Sequence, residues 1–225
     1  MAYFGGKSGD GVYQTLINLM PPHDVYIEPF LGGGAILRIK RPARESIGVD
    51  RDPDVVERWK SLAFSSDARS AHVICGDGIQ FLRAYPFTGR DLVYCDPPYL
   101  LSTRRSRTRY AFELSDAQHQ ELLSVIKRLP CMVMISGYWS ALYATALSRW
   151  HVYTFQAATR GRPAQEWVWC NYPRPVELHD YRFLGDNFRE REKLKRQQRR
   201  WKGKLDRMTP LQRQALLSVL AELST

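Results

Sequence analysis

The sequence lacks long apolar runs and paired cysteines, and both absences narrow the class of protein. No apolar stretch approaches the roughly 20 residues that a membrane-spanning helix needs, and the N-terminal segment lacks the apolar core of a signal peptide. We therefore expect a soluble, cytoplasmic protein with no membrane partner. The four cysteines lie far apart and form no Cys-x-x-Cys motif, so neither a zinc site nor a dithiol redox site is predicted, and no metal is expected.

Acidic residues are the scarcer charged class. The chain has 33 Lys and Arg against 23 Asp and Glu, which gives a net charge of +10. A basic balance favours a polyanionic partner without identifying it. The distribution is more informative, because arginines concentrate at 104–109, at Arg160 and Arg162, and throughout 182–207.

Short apolar runs alternate with amphipathic stretches along the first 180 of the 225 residues. This alternation predicts an α/β fold with a mostly parallel seven-stranded sheet that helices cover on both faces. The last two strands leave no room for a helix between them, so we expect an antiparallel last strand. The predicted strands are 24–30, 46–50, 72–76, 91–95, 132–136, 151–156 and 166–171, and the predicted helices are 11–20, 35–40, 54–64, 79–85, 115–129 and 140–148.

The composition changes after residue 180, where the chain becomes charged and mostly basic. Thr209, Pro210 and Gln212 combine a helix N-cap, a proline at the first helical position and a capping glutamine, and leucines follow at helical spacing. We therefore expect an α/β domain over 1–180 and a basic helical tail over 181–225. The tail suits two roles equally, gripping a nucleic-acid backbone or docking through its leucine face.

The strongest chemical signal is Asp96-Pro97-Pro98-Tyr99, which follows the predicted strand 91–95. Ligands of open parallel sheets bind at the carboxyl ends of the strands, although Pro-Pro can also simply end a strand. The N6 amine of adenine is a poor nucleophile because its lone pair is delocalised into the ring. The Asp96 carboxylate and the Pro97 carbonyl can each accept one of its N–H groups, and proline fixes the backbone without offering a competing donor. Tyr99 offers a flat face for a base, which must be flipped out of a duplex to be reached.

A second signal is the glycine-rich turn that follows Val25–Ile27, in which glycines 32, 33 and 34 are consecutive. Glycine lets a nucleotide-like cofactor approach the backbone closely, although a simple strand-to-helix turn also needs glycine. A dinucleotide site would place a third glycine where Leu37 stands. A nicotinamide cofactor is therefore disfavoured, and S-adenosylmethionine, which has no pyrophosphate, fits better.

Two carboxylates end the second and third predicted strands. Asp50 lies at the spacing at which an acidic residue reaches ribose hydroxyls, and Asp77 can accept from an adenine amine of a cofactor. Each is equally suited to cap the helix that follows it. Gly6-Lys7-Ser8 imitates the end of a P-loop, but the first P-loop glycine would fall on Met1 with no strand before it. We therefore reject an NTPase.

In combination these motifs resemble a known family. Phe4-Gly5-Gly6-Lys7, Glu28–Ala35 and Asp96–Tyr99 follow the motif order of the Dam-type DNA adenine-N6 methyltransferases, and the similarity covers about residues 2–180. The resemblance implies a Rossmann-like class I methyltransferase fold, S-adenosyl-L-methionine as cofactor, DNA with a flipped-out adenine as partner, and no metal.

The resemblance also implies roles for the motif residues. Tyr3 and Lys7 would flank the cofactor, with Lys7 near its carboxylate end, while Asp50 would hold its ribose and Asp77 its adenine. The other implied cofactor residues are Glu28, Pro29, Phe30, Gly32, Gly34 and Asp96. The implied target-base residues are Asp96, Pro97, Pro98 and Tyr99.

One departure from the family concerns sequence recognition. Many members insert a target-recognition domain between the first glycine motif and the Asp-Pro-Pro-Tyr motif, but the intervals from Asp50 to Asp77 and from Asp77 to Asp96 each fit only a helix and a strand. Nucleic-acid contacts must then come from elsewhere, unless the basic loops are merely solvated. The candidates are Arg104, Arg105, Arg107, Arg109, Tyr110, Arg160 and Arg162.

We therefore predict an S-adenosylmethionine-dependent DNA adenine-N6 methyltransferase with short or relaxed sequence specificity. The same acceptor chemistry serves adenine N6 in RNA and cytosine N4 in DNA, so both stay open as alternatives. So does an inactive nucleic-acid-binding protein on the same scaffold. The sequence leaves open the recognised bases, the oligomeric state and the biological purpose, including restriction–modification.

Overall fold

The computed structural model describes residues 7–9, 11–63, 71–104, 111–157 and 164–222. The chain forms two compact units, Met1–Tyr181 and Arg182–Thr225. The boundary between them falls where the composition becomes mainly basic.

The first unit contains a seven-stranded sheet in the order β3-β2-β1-β4-β5-β7-β6. Neighbouring strands pair parallel from β3 to β5, whereas β7 pairs antiparallel with both β5 and β6. This is the class I methyltransferase sheet that the sequence motifs imply. The strands are β1 Val25–Glu28, β2 Glu45–Asp50, β3 His72–Cys75, β4 Asp91–Cys95, β5 Met132–Gly137, β6 His151–Ala157 and β7 Ala164–Cys170.

Helices connect the strands and cover the sheet. The predicted strands and helices are confirmed to within three residues at every end. The largest overruns come after α1 and α5, because the last turn there closes through i to i+3 bonds, such as Leu129 N–H to the Ile126 carbonyl at 3.4 Å. The helices are α1 Val12–Ile17, α2 Ala35–Ile39, α3 Pro53–Ala63, α4 Gly78–Ala84, α5 Asp116–Ile126 and α6 Ala141–Ala146.

The central strands β1 and β4 are buried along their whole length. Helices on both faces exclude water from them, which explains why their sequences are nearly continuous apolar runs rather than alternating ones. Ile27, Val93 and Cys95 are completely buried in the main core cluster. This rigid centre fixes the positions of the residues that follow β1 and β4 at their carboxyl ends.

The turn between β1 and α2 depends on the backbone freedom of Gly34. This residue has φ +52° and ψ +41°, in the left-handed region, and α2 begins immediately after it. A Cβ atom there would overlap the Trp59 ring and lie 2.9 Å from a methyl carbon of Leu31. Only glycine therefore fits the position without strain.

The second unit consists of α7 Phe188–Asp206 and α8 Pro210–Glu222. The Asn187 side chain caps α7 by accepting from Glu190 N–H. At α8 the predicted cap is confirmed, because Thr209 N–H donates to the Gln212 side chain at 2.9 Å and Gln212 N–H donates to Thr209 Oγ1 at 3.3 Å.

None of the helices in the described residues has the length and apolar character required to traverse a bilayer.

Gly34→Ala is expected to lower the free energy of unfolding by about 2–4 kcal/mol, since it adds a left-handed alanine and a clash with Trp59. Gly76→Ala is the matched control, because a Cβ atom added there would have no atom within 4 Å of it, and it should change stability by under about 0.5 kcal/mol. Urea denaturation of both variants measures the difference. Equal stabilities would contradict the strain assigned to Gly34.

Candidate active site

A cleft opens at the carboxyl ends of the first four strands. Of the Asp-Pro-Pro-Tyr motif, Asp96 and Pro98 line this cleft, whereas Pro97 and Tyr99 lie outside its lining. Tyr3 lies outside the described residues. The predicted cofactor residues that line the cleft are Lys7, Glu28, Pro29, Phe30, Gly32, Gly34, Asp50, Asp77 and Asp96.

Asp50 holds the glycine-rich turn in shape. Its Oδ2 accepts from Gly32 N–H at 2.7 Å, and its Oδ1 accepts from Asp52 N–H at 2.9 Å. Burial raises the pKa of Asp50, although these hydrogen bonds oppose the shift. The Trp59 indole N–H donates to the Gly32 carbonyl at 3.2 Å and braces the turn from the other side. Asp50 therefore builds the cleft wall, and its contact with a ribose stays a prediction.

Asp77 caps α4, which is one of the two roles that the sequence allowed. Its Oδ1 accepts from Ile79 N–H at 2.8 Å and from Gln80 N–H at 3.0 Å, while Oδ2 pairs with Arg51. Burial opposes ionisation, but the hydrogen bonds from Gln80 and Arg51 outweigh it and lower the pKa of Asp77. Arg51, which the sequence did not single out, also lines the cleft.

Glu28 is a buried carboxyl group at the end of β1. Its Oε1 accepts from the Tyr26 hydroxyl at 2.7 Å. Burial, together with the negative charge of Asp96, raises the pKa of Glu28 to about 8. The protonated form of Glu28 is therefore favoured at neutral pH.

One oxygen of the Asp96 carboxylate is held and the other is available. Oδ1 lies 2.8 Å from the Lys7 ammonium and accepts from Ser136 Oγ at 2.9 Å. Within the part of the chain that the structure describes, no residue donates to Oδ2 of Asp96. The side chain is 20% exposed in the cleft lining. Its geometry therefore suits an acceptor for a ligand N–H group.

Lys7 lies at the centre of a buried polar cluster. Besides Asp96, its ammonium donates to the Tyr99 hydroxyl at 2.7 Å and lies 3.5 Å from Glu166 Oε2. Tyr99 in turn donates to Glu166 Oε2 at 2.9 Å. The structure thus connects Lys7 to the carboxylate of the Asp-Pro-Pro-Tyr motif, a contact that the resemblance did not imply. Its contact with the cofactor's carboxylate stays a prediction.

Tyr99 is held differently from what the sequence suggested. The residue is 8% exposed, and its ring meets the Tyr138 ring edge-on at a centroid distance of 4.7 Å. Little of its face is free to stack on a base in this structure, whereas its hydroxyl group joins Lys7 to Glu166. Stacking of a base on Tyr99 stays a prediction.

Sequence reasoning missed Glu166, which lies on β7 and is 7% exposed. The strand reads Ala-Gln-Glu-Trp-Val-Trp-Cys, and its aromatic residues directed attention to packing. A signal was present, because an isolated carboxylate in an otherwise apolar strand is rarely buried without a charged partner. Which partner it meets could not be read from the sequence, since Lys7 is 159 residues away along the chain.

The predicted nucleic-acid role of Arg104 is not supported by its surroundings. Its guanidinium forms a two-point ion pair with Glu113, at 3.0 and 2.5 Å, and its side chain is 5% exposed. The pair holds the Arg104 guanidinium against a carboxylate, and contact of this arginine with a phosphate stays a prediction. The other predicted nucleic-acid residues, Arg105, Arg107, Arg109, Tyr110, Arg160 and Arg162, lie outside the described residues.

The raised pKa of Glu28 predicts a pH-dependent stability. The unfolded carboxyl releases its proton near pH 4.5 and the folded one near pH 8, so the free energy of unfolding should fall across this interval. Glu28→Gln cannot ionise and should show a flatter profile in urea denaturation at several pH values. Glu57→Gln, a change at an exposed helix position, should keep the original slope. Parallel profiles for Glu28→Gln and the natural protein would contradict the assignment.

Several solved structures resemble this fold at low identity. The SMU.1697c protein of Streptococcus mutans, solved in complex with SAH, matches with a TM-score of 0.48 and 11% identity over 70% of this chain and 93% of its own. An rRNA methylase from Streptococcus thermophilus matches with a TM-score of 0.49 and 10% identity over 70% and 93%. TrmN from Thermus thermophilus matches with a TM-score of 0.49 and 15% identity over 70% and 46%. Likeness at this level carries no functional argument.

The family comparison is more informative. No curated protein matches the sequence. A family model, however, matches residues 58–156, just under half of the chain. This segment contains the Asp-Pro-Pro-Tyr motif but neither Lys7 nor the glycine-rich turn. The match is to the D12 class N6 adenine-specific DNA methyltransferases, and it agrees with the resemblance that the sequence motifs carry.

Proposed function

We propose that this protein transfers the methyl group of S-adenosylmethionine to N6 of adenine in DNA, flipped out of the duplex. The observation that carries the proposal is the Asp96 carboxylate, with Oδ1 held by Lys7 and Ser136 and Oδ2 available at the cleft. The family match supports methyl transfer to adenine, and DNA is the substrate in that family's description.

The cleft residues fit S-adenosylmethionine. Within the described part of the chain, six acidic residues line the cleft against two basic ones, which favours a ligand with positive charge. Asp50 and Asp77 offer oxygen acceptors suited to the hydroxyl and amine groups of an adenosine, and Gly32 and Gly34 keep the wall open to close approach. When bound, the cofactor supplies a methyl group on a positively charged sulfur.

The residues of the chain act on the amine. Asp96 Oδ2 accepts one N–H of the adenine amine, which draws the nitrogen towards a pyramidal geometry and frees its lone pair. The Pro97 carbonyl, which lies outside the cleft lining in this structure, stays a predicted acceptor for the other N–H. The methyl group would come from the bound cofactor, which keeps the electron pair of its sulfur–carbon bond, and the amine would give up one proton through its hydrogen bond to Asp96. Lys7 and Ser136 fix the carboxylate, so most of the rate gain comes from orientation.

Identification of the methylated nucleoside tests the proposal. The protein is incubated with radiolabelled S-adenosylmethionine and either duplex DNA or RNA, and the product is digested to nucleosides. N6-methyladenine from DNA is the expected result. N6-methyladenine from RNA alone would contradict DNA as the substrate, and N4-methylcytosine would contradict adenine as the target base. Absence of both methyl transfer and S-adenosylmethionine binding would favour a non-catalytic nucleic-acid-binding protein.

Asp96→Ala is expected to abolish methyl transfer, because it removes the acceptor for the amine, while leaving folding and cofactor binding mostly intact. Circular dichroism and binding of S-adenosylmethionine check these two properties. Asp116→Ala, which removes an exposed carboxylate in the first turn of α5, should keep full activity. Full activity of the Asp96 variant would refute the role given to this carboxylate.

Glu166→Gln is expected to lower kcat by about 10- to 100-fold, the equivalent of one hydrogen bond to a charged group. With its second carboxylate neutralised, the Lys7 ammonium interacts more strongly with Asp96 and weakens it as an acceptor. The KM for S-adenosylmethionine should change little. Glu177→Gln, an exposed site outside the cleft, is the control. A loss confined to KM, or no loss, would contradict this account.

Relaxed sequence specificity is the final part of the proposal. It is supported by the short intervals between Asp50, Asp77 and Asp96, which hold no inserted recognition domain. Sequencing DNA from expressing cells with a readout of N6-methyladenine positions is expected to show methylation at a short or degenerate motif. A long, strictly defined site would contradict it.

A further inference from the structure

The helix α7 and its C-cap residue carry six basic residues on a single face. Successive members are three or four residues apart, and both spacings return a side chain to the same side of a helix. The row covers roughly five turns, or about 27 Å at the rise of an α-helix. We call it the basic ridge, and its members are Arg189, Lys193, Arg196, Arg200, Lys204 and Arg207.

All six side chains of the basic ridge are exposed. Across the described residues, none of the six forms an ion pair; Arg196 and Arg207 donate only to backbone carbonyls one turn earlier, at 3.3 and 2.9 Å. Away from the ridge, by contrast, Lys195 pairs with Glu192 at 3.2 Å. The ridge therefore presents uncompensated positive charge to solvent.

The acidic residues of α7 lie off the ridge. At about 100° per residue, Glu190, Glu192 and Asp206 fall outside the sector that the six basic residues occupy. Like charges three or four residues apart destabilise a helix by a few tenths of a kcal/mol per pair, so a face that served solubility alone would be expected to mix signs. The second unit as a whole holds twelve Lys and Arg against five Asp and Glu, a net charge of +7 out of the chain's +10.

A straight row of cations this long matches a regular row of anions. The backbone of a duplex carries one negative charge for about every 1.7 Å of its axis, so it offers many phosphates along about 27 Å. A membrane-surface helix needs an extensive apolar face to enter the lipid. In α7 the face about 120° from the ridge carries only three apolar residues in about five turns, Leu194, Trp201 and Leu205, which disfavours a lipid surface.

We propose that the basic ridge binds the phosphate backbone of duplex DNA, without reading its sequence, and so holds the substrate of the methyl transfer. This inference rests on the proposed function for the identity of the duplex. Phosphate contacts supply affinity without sequence information. A grip of this kind fits an enzyme with no inserted recognition domain.

Two triple variants with the same loss of charge test the ridge. The ridge variant is Lys193→Gln, Arg200→Gln and Lys204→Gln, and the control variant is Lys195→Gln, Arg199→Gln and Lys202→Gln. Binding to a fluorescein-labelled duplex of about 30 base pairs is measured by anisotropy at several NaCl concentrations. Circular dichroism verifies that both variants keep their helices.

The ridge variant is expected to bind about tenfold more weakly or worse and to lower the salt slope of log Kd by about 2–3, since each phosphate contact contributes about 0.9. The control variant should lower the slope by less than about 1. Equal losses in the two variants, or no loss in either, would overturn the ridge as the interface. Loss of binding to anionic vesicles with unchanged duplex binding would overturn the choice of partner.

The binding assay contains no S-adenosylmethionine, so its result is independent of catalysis. If the natural protein methylates no nucleic acid but the ridge variant loses duplex binding selectively, the ridge stands and the proposed function fails. If the natural protein methylates DNA and the two triple variants behave alike, the ridge alone fails. With both correct, the ridge variant keeps kcat at saturating duplex and raises KM for DNA about tenfold or more.

Discussion

The buried Lys7 ammonium is the interaction on which the candidate site depends. It lies 2.8 Å from Asp96 and 3.5 Å from Glu166, and the Lys7 side chain is 6% exposed. Two carboxylates this close and this buried would repel each other without a cation between them. The ammonium offsets this repulsion, and a desolvated cation is in turn tolerated only because its partners are well placed. The same cluster joins Lys7 to Asp96, which follows β4, and to Glu166 on β7. The contacts that connect these segments therefore also hold the carboxylate that we propose as the acceptor.

Charge is divided between the two units in a way that suits their proposed roles. Among the described residues, the charged side chains that line the cleft are mainly acidic, although burial raises the pKa of Glu28, and Asp77 and Asp96 each lie beside a cation. The cleft therefore favours a cationic cofactor without strong repulsion inside the site. The excess positive charge lies mostly in the second unit, where it can attract a polyanion. In our proposals, the affinity for substrate and the chemistry on it therefore fall on different parts of the chain.

The fold could be predicted closely because its signal is local. A buried central strand such as β4 must be apolar along its whole length, and a capped amphipathic helix such as α5 repeats about every 3.6 residues. Because ligands bind at the carboxyl ends of parallel strands, chain order alone was enough to bring Asp50, Asp77 and Asp96 to one edge of the sheet. The elements and the position of these carboxylates thus follow from the spacing of apolar residues along the sequence and from the order of the strands and helices.

The partners of each side chain were decided by tertiary structure. Arg104 belongs to a basic cluster in the sequence, yet in the fold it forms a buried pair with Glu113, because a loop's direction is not encoded in its composition. Glu166 belongs to no sequence motif. It lies near its partner Lys7 because β7 pairs antiparallel with β5 in the folded sheet. The sequence by itself determined the elements, the sheet and the site's residue types, which depend on local periodicity and chain order. Which carboxylate is neutralised, and by which cation, depends on contacts between distant segments, and only packing specifies those.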